Sequence, residues 1–115
     1  MTYKVADRPN TSIQAEGHNP KSGACNDYII TERDNDRNVL TEIAFQNGPI
    51  TENVNGCQLE DLLVVCRHRL HSFQNGKFPC EENAVAIDHL TKAIEALDSR
   101  TADRIKRGVQ DEQTK

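Results

Sequence analysis

From residue 57 onward the apolar positions recur with a helical period. Leu59, Leu62, Leu63, Cys66, Leu70 and Phe73 fall at i, i+3, i+4, i+7, i+11 and i+14, one stripe of an α-helix, with Arg67, Arg69 and His71 on its flanks. Asn75-Gly76 stops this helix, because a glycine just past the last turn is the common stop. The pattern predicts helix over 57–76. A second helix is predicted over 79–107. Pro79 suits a first turn, and Glu81 and Glu82 oppose the positive end of the helix dipole. Its stripe is Ala84, Ile87, Leu90, Ile94, Leu97 and then Thr101; Gly108 marks its stop, and 110–115 is a polar tail. So short a connection folds the two helices back on each other as an antiparallel hairpin.

Upstream the period is two. The runs from Asp27 to Arg33 and from Asn38 to Phe45 are rich in β-branched and aromatic residues and flank Asp34-Asn-Asp-Arg37, a hairpin signal. In the second run Leu40, Glu42 and Ala44 face one side, and Val39, Thr41, Ile43 and Phe45 the other, more apolar side. Gln46-Asn-Gly-Pro49 and Asn53-Val-Asn-Gly56 are turn chemistry and close the β region, 25–50. Residues 1–24 are rich in Asn, Gly, Pro, Ser and Lys and carry only a short apolar patch at Tyr3 and Val5. They read as a polar arm or an irregular lead-in, contributing one edge strand. The expected fold is α+β, a small antiparallel β-meander followed by a long antiparallel two-helix hairpin, with one domain over 25–109. A two-helix hairpin leaves apolar surface uncovered, so a homodimer or higher homo-oligomer is expected.

Composition narrows the function classes. At 115 residues, with 36% hydrophobic residues, 4% aromatics and no Trp, the chain supports one modest core. Fourteen Lys and Arg against 18 Asp and Glu give a net charge of −4, which argues against a duplex-DNA coat while leaving room for a local basic patch. The longest apolar run, Leu62 to Cys66, is far shorter than the ~20 residues of a membrane span, and the first residues lack the apolar core of a secretory signal. A cytoplasmic protein is expected. Cys25, Cys57, Cys66 and Cys80 contain no Cys-x-x-Cys, so neither a zinc site nor a disulfide framework is expected.

Three groups of residues carry candidate chemistry. Phe73 ends the first helix and Asn83 lies in the first turn of the second, near each other across the hairpin loop. They offer a ring for stacking and an amide for base edges, or else core closure and a helix cap. Arg100, Arg104 and Arg107, with Lys106 beside them, place three guanidinium forks on one helix face. That suits phosphate, though cations also belong at a helix C-terminus and Asp103 can pair with Arg100 or Arg107. His68 and His71 share a face and His89 approaches from the other helix, but a metal site would need a further carboxylate. No Gly-x-Ser-x-Gly, glycine-rich phosphate loop or His-Glu-x-x-His is present, so no cofactor and no catalytic residue is assigned and an enzyme is not expected.

Several motifs recur in order: Phe45-Gln-Asn-Gly-Pro-Ile50, Val54-Asn-Gly56, Leu62-Leu63, Arg69-Leu70, Phe73-Gln74, Phe78-x-Cys80-x-Glu82-Asn83-Ala84 and Arg100-Thr101-x-x-Arg104-x-x-Arg107-Gly-Val109. Over residues 24–109 this series resembles the phage family of Thoeris anti-defence protein one, which shares its helical hairpin with anti-CBASS protein two. Residues 1–23 carry no such match. The resemblance implies a non-catalytic sponge. It would bind cyclic ADP-ribose isomers made by TIR-domain immune enzymes (1''-2' or 1''-3' glycocyclic ADP-ribose) in the host cytoplasm and keep the downstream effector silent. Sequestration of cyclic di- or trinucleotides of CBASS-type immunity, or a protein-interaction module, are the alternatives. By resemblance, Phe73 and Asn83 would contact adenine and Arg100 the phosphates, with Arg104 and Arg107 as further ligand contacts.

Asn83 and Arg100 are 17 positions apart on one predicted helix, about 25 Å at ~1.5 Å per residue. A dinucleotide-sized ligand cannot reach both on one chain. If both serve one molecule, they come from two chains of a twofold dimer, which then carries two equal pockets.

Overall fold

The computed structural model describes residues 2–107, with the side chain of Arg107 outside that description. Gly108, Val109 and the 110–115 tail, which the sequence assigns to a helix stop and a polar extension, also lie outside the described residues. Four strands come first: β1 (Tyr3–Asp7), β2 (Thr11–His18), β3 (Cys25–Glu32) and β4 (Asn35–Ala44). They form one sheet in the order β1-β2-β3-β4, every pair antiparallel, and so a meander. Two helices follow, α1 (Leu59–Gln74) and α2 (Glu81–Arg107). This is the α+β fold read from the sequence. The chain divides into two compact units, one ending at Cys57 and the other beginning at Gln58.

The expectation of a polar arm over 1–24 is corrected. Two strands form there rather than an arm with one edge strand, and β2 is central: Ser12 pairs with Asp7 on one side and Thr31 on the other. Two β2 side chains are buried, one on each face of the sheet: Ser12 beside Thr31, and Ala15 opposite Tyr28. A strand whose buried residues are a Ser on one face and an Ala on the other gives almost no hydrophobic signal. Asn19 then organises the β2–β3 connection, its side-chain oxygen accepting the Lys21 N–H at 2.8 Å.

The expected hairpin between β3 and β4 is present, turning at Asp34 with φ 61°. After β4, Phe45 forms an isolated parallel bridge with Cys57, and Gly56 lies against the backbone of Ala44 and Phe45. A Cβ at Gly56 would stand 2.6 Å from the Ala44 carbonyl oxygen and 2.5 Å from that of Phe45, so only glycine fits this close approach. Register puts Tyr3, Ile13, Ala15, Tyr28, Ile30 and Ile43 on one face of the sheet. Tyr28 meets Phe45 edge to face at 5.6 Å, anchoring the chain as it leaves the sheet.

Candidate functional site

The candidate residues stand on the helical hairpin. The first helix begins after Gln58, whose N–H donates to the Asp61 carboxylate at 2.8 Å, so a first-turn acid satisfies an orphan donor. It ends at Asn75 with Gly76 just beyond, as the sequence predicts. Gln74 closes the connection by accepting the Cys80 N–H at 2.8 Å, immediately before α2. Two hydrogen bonds fix the antiparallel packing: Arg67 donates to Thr91 Oγ1, and Thr101 to Glu60 Oε2, both at 3.4 Å.

The hairpin seam differs from the predicted stripe. On α1 the half-buried positions are Glu60, Leu62, Leu63, Arg67, Leu70, Phe73 and Gln74, while Leu59 and Cys66 are exposed. Arg67, expected on a flank, lies in the seam instead. On α2 the seam runs through Asn83, Ile87, Leu90, Ile94, Leu97, Thr101 and Arg104; Ala84, expected within it, is exposed. The stripe is rotated because polar residues take part in the packing at both ends. Only Ile94 is buried among the described residues of this unit, at 7% exposure. The hairpin therefore leaves much of its apolar surface open, with Val64, Val65, Val85 and Ile105 exposed outright.

Phe73 is half-buried in the last full turn of α1, and the Arg69 guanidinium lies over its ring, 5.0 Å from the centroid. Asn83 occupies the first turn of α2, and its side-chain amide donates to the Phe78 carbonyl at 3.3 Å, across the hairpin connection. It thus has a structural bond already, while its side-chain oxygen retains acceptor capacity. Phe78 itself is 73% exposed. At the other end of α2, Arg100 and Arg104 are half-buried. The Arg100 Nε is buried and has no hydrogen-bond partner, an uncommon state for a guanidinium and one that an incoming oxygen acceptor relieves. Arg107 is the last residue of α2, and its side chain lies outside the described residues. The structure thus gathers Phe73 and Asn83 at one end of the hairpin and Arg100 and Arg104 toward the other.

His68, His71 and His89 are exposed, and no group of three or more His, Cys, Asp or Glu among the described residues is arranged to hold a metal ion. All four cysteines are free. Between β4 and α1, where the sequence predicts turns, two amides brace the backbone. Gln46 Nε2 donates to the carbonyls of Asn53 and Gly48 at 2.8 and 3.1 Å, and its oxygen accepts the Asn55 N–H at 3.0 Å. Asn55 Oδ1 accepts the Asn47 N–H at 2.8 Å, while its Nδ2 donates to the Asn47 carbonyl at 2.6 Å. Turn residues in sequence signal irregular backbone, but not that two of them act as its internal scaffold.

Residues 37–102, from β4 through most of α2, match the family model described as Acb2/Tad1, hairpin domain. The chain belongs to this family. A relative from Bacillus phage SBSphiJ7, named Thoeris anti-defense 1, is 47% identical over 72 residues, which is 62% of this chain and 51% of that protein. The chain therefore spans about half the length of the curated relative it matches. The matched hairpin carries Phe73, Asn83 and Arg100; Arg104 and Arg107 fall just past its limit.

Proposed function

We propose that this chain is a phage anti-defence protein that sequesters a cyclic ADP-ribose isomer, holding it intact rather than converting it. Family membership and the anti-defence relative support the general role. The observation that carries the ligand class is the buried, partnerless Nε of Arg100, which an anionic oxygen would satisfy. In this reading the adenine stacks on the Phe73 face not covered by Arg69, and Asn83 pairs with the base edge. Arg100, Arg104 and Arg107 meet the two phosphates. Because Asn83 and Arg100 lie about 25 Å apart along one helix, one pocket draws on two chains of a homodimer. The open apolar surface of the hairpin is the material for that contact.

Tight capture is within reach of such a site. A nanomolar constant requires about 12 kcal/mol, and a stacked base, adenine hydrogen bonds and charge-assisted phosphate contacts act together in a dehydrated pocket. No helix among the described residues is long and apolar enough to cross a membrane. Calorimetric titration with cyclic ADP-ribose isomers, linear ADP-ribose and cyclic di- and trinucleotides tests the ligand class. Tight binding of the cyclic ADP-ribose isomers supports the reading; preference for a cyclic oligonucleotide would assign the protein to the CBASS branch of the family.

A further inference from the structure

The sheet has a second face, and nothing in the proposed function uses it. Strand register places Lys4, Asp7, Ser12, Gln14, Glu16, Asp27, Ile29, Thr31 and Glu42 on this side, opposite the apolar one. Two cavities open onto it. The first, about 350 Å³, is lined only by polar residues, including Lys4, Thr31, Ser12, Gln14 and the turn carboxylates Asp34 and Asp36. The second, about 290 Å³, is lined by Glu16, Asp27 and Glu42, with Ile29 among its apolar residues.

Thr31 makes the first cavity more than a dimple. It is 2% exposed, and its Oγ1 is buried with no hydrogen-bond partner. Its neighbours are already committed. Ser12 Oγ donates to Asp7 Oδ1 at 2.7 Å, and Lys4 Nζ pairs with Asp7 Oδ2 at 3.2 Å. The β3–β4 register shifts on either side of Thr31, which interrupts the regular ladder at this point. A buried hydroxyl left without a partner is costly, and a donor arriving through the cavity would satisfy it.

We propose that this face binds a linear aliphatic polyamine. The charge balance calls for a cation: Lys4 is paired with Asp7 and Arg33 with Asp34, which leaves Asp36, Glu16, Asp27 and Glu42 without an ion pair among the described residues. A compact metal ion does not fit, because no set of three or more potential ligands converges among the described residues. A planar base does not fit the first cavity, which has no ring in its wall. One ammonium donates to Thr31 Oγ1 and to the carboxylates of Asp34 and Asp36. The methylene chain crosses Ile29, and the far ammonium reaches Glu16, Asp27 and Glu42. Thr31 and Asp27 are four residues apart on β3, about 13 Å at ~3.3 Å per residue, a span comparable to an extended triamine.

Calorimetric titration of the full chain with spermidine, at low ionic strength and without nucleotide, tests this. One saturable site is expected. Putrescine, too short to touch both cavities, should bind at least tenfold more weakly, and magnesium chloride at matched ionic strength should not displace spermidine. Thr31→Val, the double variant Asp34→Asn/Asp36→Asn and Glu16→Gln should each weaken spermidine at least tenfold. The carboxylate positions are solvent-accessible, so their variants decide the matter even if Thr31→Val fails to fold. Absence of saturable binding overturns the proposal, as does equal binding of putrescine and magnesium or indifference to the carboxylate variants.

Discussion

Phe73→Ala separates a ligand-stacking ring from a core ring. Phe73 is half-buried, and its recorded aromatic partner is the Arg69 guanidinium at 5.0 Å, an interaction worth ~0.5–1 kcal/mol at an exposed site. Truncation should therefore cost the fold little. A fully buried phenylalanine would cost ~3–5 kcal/mol. Ile94 provides the internal comparison: at 7% exposure it is the buried centre of the hairpin, and Ile94→Ala should cost ~2–5 kcal/mol. For the ligand the order reverses. Losing a base–aromatic stack removes ~1–3 kcal/mol of affinity, roughly 5- to 150-fold. Thermal melting and titration with a cyclic ADP-ribose isomer, run on both variants, read the two quantities. Phe73→Ala should melt near wild type and bind weakly, whereas Ile94→Ala should melt early. A Phe73→Ala protein whose melting collapses while its binding stays normal would refute the stacking role.

Asn83→Ala should weaken adenine-bearing ligands more than analogues without the 6-amino group; equal titration losses for both would reduce Asn83 to its bond with the Phe78 carbonyl. In a mixed dimer of Asn83→Ala with Arg100→Ala, one pocket should carry both lesions and the other none, so titration of doubly tagged dimers should give about half the stoichiometry at native affinity. Two equally weakened sites would place each pocket within one chain. Gly56→Ala should destabilise the first unit by ~1–3 kcal/mol or more in chemical denaturation, because the new methyl meets backbone rather than a side chain that can turn away. The Asp7 carboxyl is held below its ordinary value of 3.8, first by the Ser12 hydroxyl and then by Lys4. A depressed folded-state pKa contributes stability above the unfolded value that is lost as pH falls through the folded one. Ser12→Ala should therefore raise the Asp7 titration midpoint by NMR and shrink this acid-side dependence.

The helices were legible because their apolar residues repeat at three and four and their ends carry Pro79, Asn75 and Gly76. The β3–β4 hairpin was legible because Asp34 and its neighbours interrupt two β-branched runs. What escaped was structure built from polar residues. Strand β2 buries Ser12 and Ala15, neither of which marks a core position in a sequence. Glu60 and Arg67 enter the hairpin seam through hydrogen bonds to Thr101 and Thr91, partners 41 and 24 positions away that no local pattern reveals. The candidate residues were legible as types and spacings on two helices, and the placing of Asn83 and Arg100 toward the two ends of α2 follows from their spacing alone. The burial of the Arg100 Nε was not, since it depends on how the neighbouring side chains pack around the stem.

Sequestration without chemistry is the central claim, and recovery of the ligand tests it most directly. The purified chain is incubated with a cyclic ADP-ribose isomer, freed of unbound ligand, denatured by heat, and the released small molecule is identified by mass spectrometry and chromatography. The account predicts the intact cyclic isomer, at one equivalent per chain in a dimer with two pockets. Linear ADP-ribose or another cleavage product in its place would make the protein an enzyme, and no retained ligand would leave the hairpin as a protein-interaction surface; either result contradicts the account.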